Sequence, residues 1–314
     1  MEPYPLIFQP ILKEKVWGGQ TLKNFGKRLP KNTSIGESWE LADLPGSIPN
    51  GKSVIANGAL KGKTLEEAGI QVPLLIKYLD ACDNLSVQVH PSEAYAKIHS
   101  DAHLKSEAWI ILDATPEGTI YVGLTEGTTE IMLREAIEQN TVPHLLHAIN
   151  VKKGECYYLP SGTCHALGAG VLVAEVQTPS DTTFRIWDWG RSGREMHIEQ
   201  AIACIDFNSP ALHFPEPIPL RSGDFLTTHF VDTPFFSIEQ IKSTSNTVLD
   251  LFAENAPFIL MVIEGHAKIQ HQKITDAQRG TTILLPEGIK DATLLMPKDT
   301  VVLRIDLPRQ QFYA

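Results

Sequence analysis

A twelve-residue pattern occurs twice in this chain and limits its architecture more than any other feature. Gly154-Glu-Cys-Tyr-Tyr-Leu-Pro160-Ser-Gly162-Thr-Cys-His165 is matched by Gly280-Thr-Thr-Ile-Leu-Leu-Pro286-Glu-Gly288-Ile-Lys-Asp291. Each copy runs from a glycine through five residues mostly suited to a strand into Pro-x-Gly, then ends on a polar side chain. Glycine reaches backbone angles closed to other residues and proline locks φ, so the turn that leads to the last residue is fixed. The pattern predicts a duplicated β-unit, with an imidazole closing one copy and a carboxylate the other. Only the His165 copy offers a good ligand for a transition metal.

The rest of the chain agrees with a β fold. Short apolar or alternating runs at 73–79, 85–90, 108–113, 119–124, 155–159, 171–177, 184–189, 258–263, 267–271, 281–285 and 300–306 are separated by Gly, Pro, Asn and Asp. Such spacing predicts sandwiches or barrels rather than alternating strands and helices. Helical periodicity is confined to two stretches. At 129–140, Met132, Leu133, Ala136 and Ile137 form one apolar face, and 192–205 opens on the capping box Ser192-x-x-Glu195. A shorter capping box is Thr64-x-x-Glu67. The proline-rich run 209–220 breaks both periodicities and divides the chain into domains 1–210 and 211–314. A helical insertion, about 125–150, separates Gly118 from Gly154, whereas Gly265 and Gly280 stand close together. It reads as cover over one side of a site or as packing.

Composition excludes some function classes. The chain has 314 residues, 27 Lys and Arg against 37 Asp and Glu, and a formal net charge of -10. That balance is wrong for general nucleic-acid binding, which needs a basic face. No run approaches the ~20 apolar residues of a membrane span, and the start MEPYPLIFQP has no signal-peptide pattern. A cytoplasmic monomer or small homo-oligomer is expected, with no membrane partner. Cys82, Cys156, Cys164 and Cys204 form no CxxC pair, as suits reduced thiols.

The ligand set is read from spacing. In Ser86-Val-Gln88-Val-His90-Pro91, alternation places Ser86, Gln88 and His90 on one strand face and Val87 and Val89 on the other. Glu107 opens the apolar strand EAWIILD, and His165 follows the Pro-x-Gly turn. Taken singly, each has an ordinary structural reading. Together, Gln88, His90, Glu107 and His165 form a set that a β-barrel mouth could bring to one metal. Two imidazoles, a carboxylate and an amide oxygen suit zinc and other late divalent ions.

The segments LSVQVHP at 85–91, KSE at 105–107, LPSGTCHALGAGVLVAEVQ at 159–177 and SDTTFRIWDWGR at 180–191 resemble the type I mannose-6-phosphate isomerases in their short bacterial form. VWGG at 16–19, GESWE at 36–40 and PLLIK at 73–77 extend the similarity toward the N-terminus. The resemblance implies two cupin-like β-barrel or jelly-roll domains, mainly β, with a few helices inserted in the first and a degenerate second domain. It implies one zinc ion per chain, held by the same four residues, and interconversion of mannose 6-phosphate and fructose 6-phosphate through a cis-enediol. Arg185 matches the family's catalytic arginine. Lys105 should share a face with Glu107, and Glu175 is the isolated carboxylate of a buried strand, so both are candidates for proton transfer. Ser86 and Lys77 match residues linked with the phosphate.

Other readings stand beside these. Arg185 could be paired with Asp181 or Asp188, Glu175 could be bound to Arg185, and Lys105 could be a surface residue. At the level of the whole protein, a redox cupin carrying iron or manganese and a non-catalytic sugar-phosphate binder are the rivals. The fourth protein ligand, Gln88, counts against the redox cupin. The additional helical domain of larger relatives does not fit in 314 residues.

Overall fold

The computed structural model describes residues 2–45, 48–208 and 212–307. Four antiparallel sheets stack in sequence as two sandwiches set back to back, a mainly β, cupin-like jelly-roll architecture. The first sandwich pairs a six-stranded sheet (sheet I) with a five-stranded one (sheet II). Sheet I runs Ile11–Gly19, Ile35–Leu41, Leu75–Ala81, Val171–Gln177, Glu107–Ala114 and Cys156–Leu159. Sheet II runs Phe184–Trp187, Val87–Val89, His165–Leu167, Thr119–Leu124 and Leu146–Asn150. The second sandwich pairs seven strands (sheet III) with four (sheet IV), all but one from residue 220 onward. The exception is Leu6–Ile7, which pairs with Thr282–Leu285 in sheet III. The boundary expected at 210/211 lies outside the described residues.

Alternation along the strands decides what each layer contains. In Glu107–Ala114, Trp109 and Ile111 point toward sheet II, while Ala108, Ile110 and Leu112 point toward sheet III. Sheet III returns Ile238, Ile259, Met261, Leu303 and Ile305 into that middle layer. Each fully buried large apolar side chain there contributes roughly 1.5–3 kcal/mol. With both faces of sheet I covered, the two sandwiches are one packed body.

The duplicated pattern is visible in the backbone. Gly154, Gly162, Gly280 and Gly288 all have positive φ, at 92°, 83°, 87° and 97°. Each copy then supplies a strand, Cys156–Leu159 or Thr282–Leu285. The copies differ after the second turn. His165 begins a strand whose side chains are all buried, whereas Asp291 is the third residue of Ile289–Met296 and its side chain is 84% exposed, facing His271 at 3.1 Å.

Three helical expectations need correction. The 192–205 helix is shorter, Ile198–Cys204, with His197 at its N-cap, so the Ser192/Glu195 box does not form there. Arg191 and Arg194 are drawn instead to the buried Asp188, and that attraction holds the segment as a loop. The helix expected at 129–140 is Glu130–Glu138, capped by Thr129, and buries Leu133 and Ala136 but leaves Met132 exposed. The insertion also ends in a strand, Leu146–Asn150. Its helix packs with Ile198–Cys204 on Val87 and Val89, on the face of sheet II turned away from sheet I, so it serves as packing and no residue of it lines the pocket between the two sheets. The Thr64/Glu67 box forms as expected, with reciprocal bonds of 2.8 and 3.2 Å.

Candidate active site

Strand register assembles the site from segments far apart in sequence. Across sheet II, Gln88 lies opposite both Arg185 and His165. Across sheet I, Glu175 lies opposite both Lys77 and Trp109, Lys77 opposite Trp39, and Gln177 opposite Glu107. These rows project into the space between the two sheets. They enclose a pocket of about 300 Å³ lined by Trp17, Trp39, Ser86, Gln88, Lys105 and Arg185 among others.

His90, Glu107 and His165 meet beside the pocket-lining Gln88 and Lys105, with ligand atoms all within 4.8 Å of one another. His90 Nε2 is 3.2 Å from Glu107 Oε2, and His165 Nε2 is 3.3 Å from Glu107 Oε1. Both imidazoles are oriented from behind. His165 Nδ1 donates to the Thr163 carbonyl at 2.9 Å and His90 Nδ1 to that of Thr182 at 3.1 Å. A carbonyl only accepts, so each Nδ1 carries the proton and each Nε2 presents a lone pair to the centre. Burial, together with the adjacent Lys105, pulls the His90 imidazole down to about 3. Burial alone would raise the Glu107 carboxyl, but Lys105 and the imidazoles hold it well below its ordinary range.

This donor set fits a divalent cation. Glu107 is fully buried: Oε2 faces the Lys105 ammonium at 2.8 Å, while Oε1 faces only the lone pair of His165 Nε2 and has no hydrogen-bond donor, a position that a cation would complete. Gln88 lies beside this set, its Nε2 3.3 Å from His165 Nε2 and its Oε1 toward Ser86. To offer Oε1 to a cation the amide would have to turn over, and Ser86 Oγ would then accept from Nε2.

The other expected residues are present with altered partners. Lys105 lies two residues before its strand, is buried, and sits 2.8 Å from Glu107 and 2.9 Å from His90 Nε2. Glu175 is bound to Lys77 at 2.9 Å and to Trp109 Nε1 at 3.0 Å, not to Arg185. Lys77 also donates to Gln177 at 2.6 Å, and Glu175 with Glu37 outweighs burial to keep its ammonium pKa raised. Arg185 pairs with neither Asp181 nor Asp188. Its Nη1 donates to the Glu195 carbonyl, and its buried Nε is left without a partner. Ser86 Oγ donates to Gln88 Oε1 at 3.3 Å. Cys164 packs behind sheet II, and burial pushes its thiol up to about 12.

Sequence reasoning missed the opposite wall, formed by Lys15, Trp17, Glu37 and Trp39, and it missed Arg194. VWGG and GESWE carried that signal, since Gly36 is where a Cβ would lie 2.5 Å from the Trp17 ring.

Fold and site together define a cupin-type jelly-roll protein with a buried two-histidine, one-carboxylate centre opening on a cation-rich pocket. A family model for the catalytic domain of type I phosphomannose isomerases matches residues 6–135. The mannose-6-phosphate isomerase ManA of Bacillus subtilis is 36% identical over 94% of this chain and 96% of its own length. A mannose-6-phosphate isomerase of Streptococcus mutans is also 36% identical, over 91% and 93%. The crystal structure of a Bacillus subtilis mannose 6-phosphate isomerase superposes with a TM-score of 0.85 at 30% identity, covering 96% of this chain and 99% of that one. The chain belongs to the type I mannose-6-phosphate isomerase family.

Proposed function

We propose that this protein interconverts mannose 6-phosphate and fructose 6-phosphate with one zinc ion held by Gln88, His90, Glu107 and His165. The observation that carries the reading is the buried His90, Glu107 and His165 cluster, opening on a cationic pocket in a chain of this family. Bound there, zinc would supply a Lewis acid that polarises sugar oxygens without redox chemistry.

The chain's own groups account for the rest. Aldose–ketose exchange needs a group that carries a proton between C1 and C2, and positive charge beside the developing enediolate. Lys105 is the proton carrier in this account, because it lines the pocket beside the ligand cluster. Glu175 lines the same pocket, but both its oxygens are already engaged, one by Lys77 and one by Trp109. Its part is to hold Lys77 and to serve as the alternative acid–base group. Arg185 stays charged and offers its unpartnered Nε, which suits it to stabilise the enediolate rather than to act as a base.

Phosphate recognition is assigned to Ser86 and Lys77. The wall around them supports an anionic ligand: Lys15, Lys77, Lys105, Arg185 and Arg194 outnumber Glu37, Glu175 and Asp181. Four free cysteines accord with action in the cytoplasm, and among the described residues no helix is long and apolar enough to cross a membrane.

Isotope exchange tests the reading. Turnover of mannose 6-phosphate labelled at C2 should move the label to C1 or release it to solvent, with no oxygen consumed. Oxygen uptake by an iron-loaded protein would support the redox cupin instead, and tight sugar-phosphate binding without turnover would support the non-catalytic binder.

A further inference from the structure

The strand Ile35–Leu41 has two working faces. Glu37 and Trp39 line the pocket, while the alternate residues Ser38 and Glu40 point away from it toward the second sandwich. There, Lys27 Nζ sits 2.6 Å from Glu40 Oε2 and donates to the Gly280 carbonyl at 2.7 Å. Ser38 Oγ fixes the other Glu40 oxygen at 2.5 Å. The Lys27 and Glu40 side chains are 4% and 3% exposed.

Gly280 opens the second copy of the duplicated pattern, and its surroundings differ from those of its counterpart. A Cβ at Gly154 would meet nothing within 4 Å, whereas one at Gly280 would lie 2.0 Å from the Phe25 carbonyl oxygen. The second copy is therefore pressed against the 3-10 helix Thr21–Phe25. That helix ends at Gly26 in the left-handed region, and the Lys27 amide closes it by bonding Leu22. This turn places Lys27 between the sandwiches, with its ammonium 5.1 Å from the centre of the Tyr78 ring. Tyr78 lies opposite Ser38, one residue along from the Lys77 and Trp39 pair.

A buried ion pair is a poor way to gain stability, because apolar residues of similar volume do as well or better. What a charge pair with a carbonyl acceptor adds is a defined position. We propose that Lys27, Glu40 and the Gly280 carbonyl form a buttress by which the metal-free half positions the Glu37 and Trp39 wall of the substrate pocket. These are positioning residues, since none of them lines the pocket. The proposal rests on the isomerase reading for its kinetic test but not for its structural one.

Both tests use the full-length double variant Lys27→Met/Glu40→Leu, which replaces the pair with apolar volume. Backbone amides of Glu37 to Trp39 should exchange with solvent roughly tenfold faster, while Val87–Val89 and His165–Leu167 keep wild-type protection. KM for mannose 6-phosphate should rise roughly five- to twentyfold with kcat within about twofold, and Lys27→Arg should stay near wild type in both. A folded double variant with unchanged KM and unchanged exchange overturns the proposal. So does faster exchange spread evenly over both sandwiches with kcat falling alongside. If the double variant does not fold, Ser38→Ala decides: KM should rise about two- to threefold, and an unchanged KM is contrary to the buttress. A wild-type protein that fails to isomerise defeats the isomerase reading, while the exchange contrast still judges the buttress.

Discussion

The ligands divide their work between front and back. Each imidazole commits Nδ1 to a main-chain carbonyl and keeps Nε2 for the centre, so orientation is set before any ion arrives. Arg185 has no hydrogen bond or ion pair to His90, Glu107 or His165, which separates its role from theirs. Arg185→Ala should keep a full complement of zinc and lose roughly 100-fold or more in kcat, checked by elemental analysis beside a coupled assay. Glu37 provides a test by pH. Burial alone would raise its carboxyl, but Lys77, Lys15 and the Trp39 N–H bring it down to about 2. A carboxyl depressed below its unfolded value stabilises the fold fully above pH ~4.5 and loses that contribution as pH falls toward 2. Glu37→Gln should therefore be less stable at pH 7 by on the order of 3 kcal/mol, and the gap should close between pH 4.5 and 2 in denaturant titrations. That His90, Glu107 and His165 come together could be anticipated from the sequence, because strand alternation and ligand chemistry are local properties. The partners of Glu175 and Arg185 could not, since they depend on which strands lie side by side. Lys77 faces Glu175 only through a pairing of residues nearly a hundred positions apart.

Turns matter to this site as much as strands. Gly162 has positive φ, donates its amide to the His90 carbonyl at 3.1 Å, and leaves no room for a Cβ, which would lie 2.7 Å from the Cys204 carbonyl oxygen. Gly154 has the same backbone sign but open space around it. Gly162→Ala should cost about 2–3 kcal/mol and weaken zinc binding, while Gly154→Ala should cost about 1 kcal/mol and leave the metal untouched. Equal losses in both variants, measured by unfolding and metal titration, would remove Gly162 from the metal site's support. The strands at 108–113, 171–177, 258–263 and 300–306 were evident from period and turn residues alone, whereas Thr247–Ala253 and Ile289–Met296 fell outside the predicted runs. The strand Ile11–Gly19 was not evident, because its lysines and glutamate hide the alternation and an irregular register lifts Val16 into solvent. The 192–205 helix failed for an electrostatic reason, since a capping signal counts for little where two arginines are held by one buried aspartate.

Among the described residues the one His/Glu/His cluster that could hold a metal lies in the first sandwich. The duplicated pattern foretold two related β-units, and in the second the residue matching His165 is Asp291, with an exposed side chain. What the pattern did not foretell is the joint between them. The first strand crosses into the second sandwich, and the middle layer is filled from both halves, contacts that no local signal encodes. In the proposed function, Gln88, His90, Glu107 and His165 hold a zinc ion on which isomerisation depends. Zinc content and mannose 6-phosphate isomerase activity measured together on wild type and His165→Ala address it directly. Wild type should carry one zinc per chain and convert the sugar phosphate, and His165→Ala should lose both while remaining folded. Wild-type protein at full zinc occupancy that leaves mannose 6-phosphate unconverted, or a His165→Ala variant that retains metal and turnover, would contradict it.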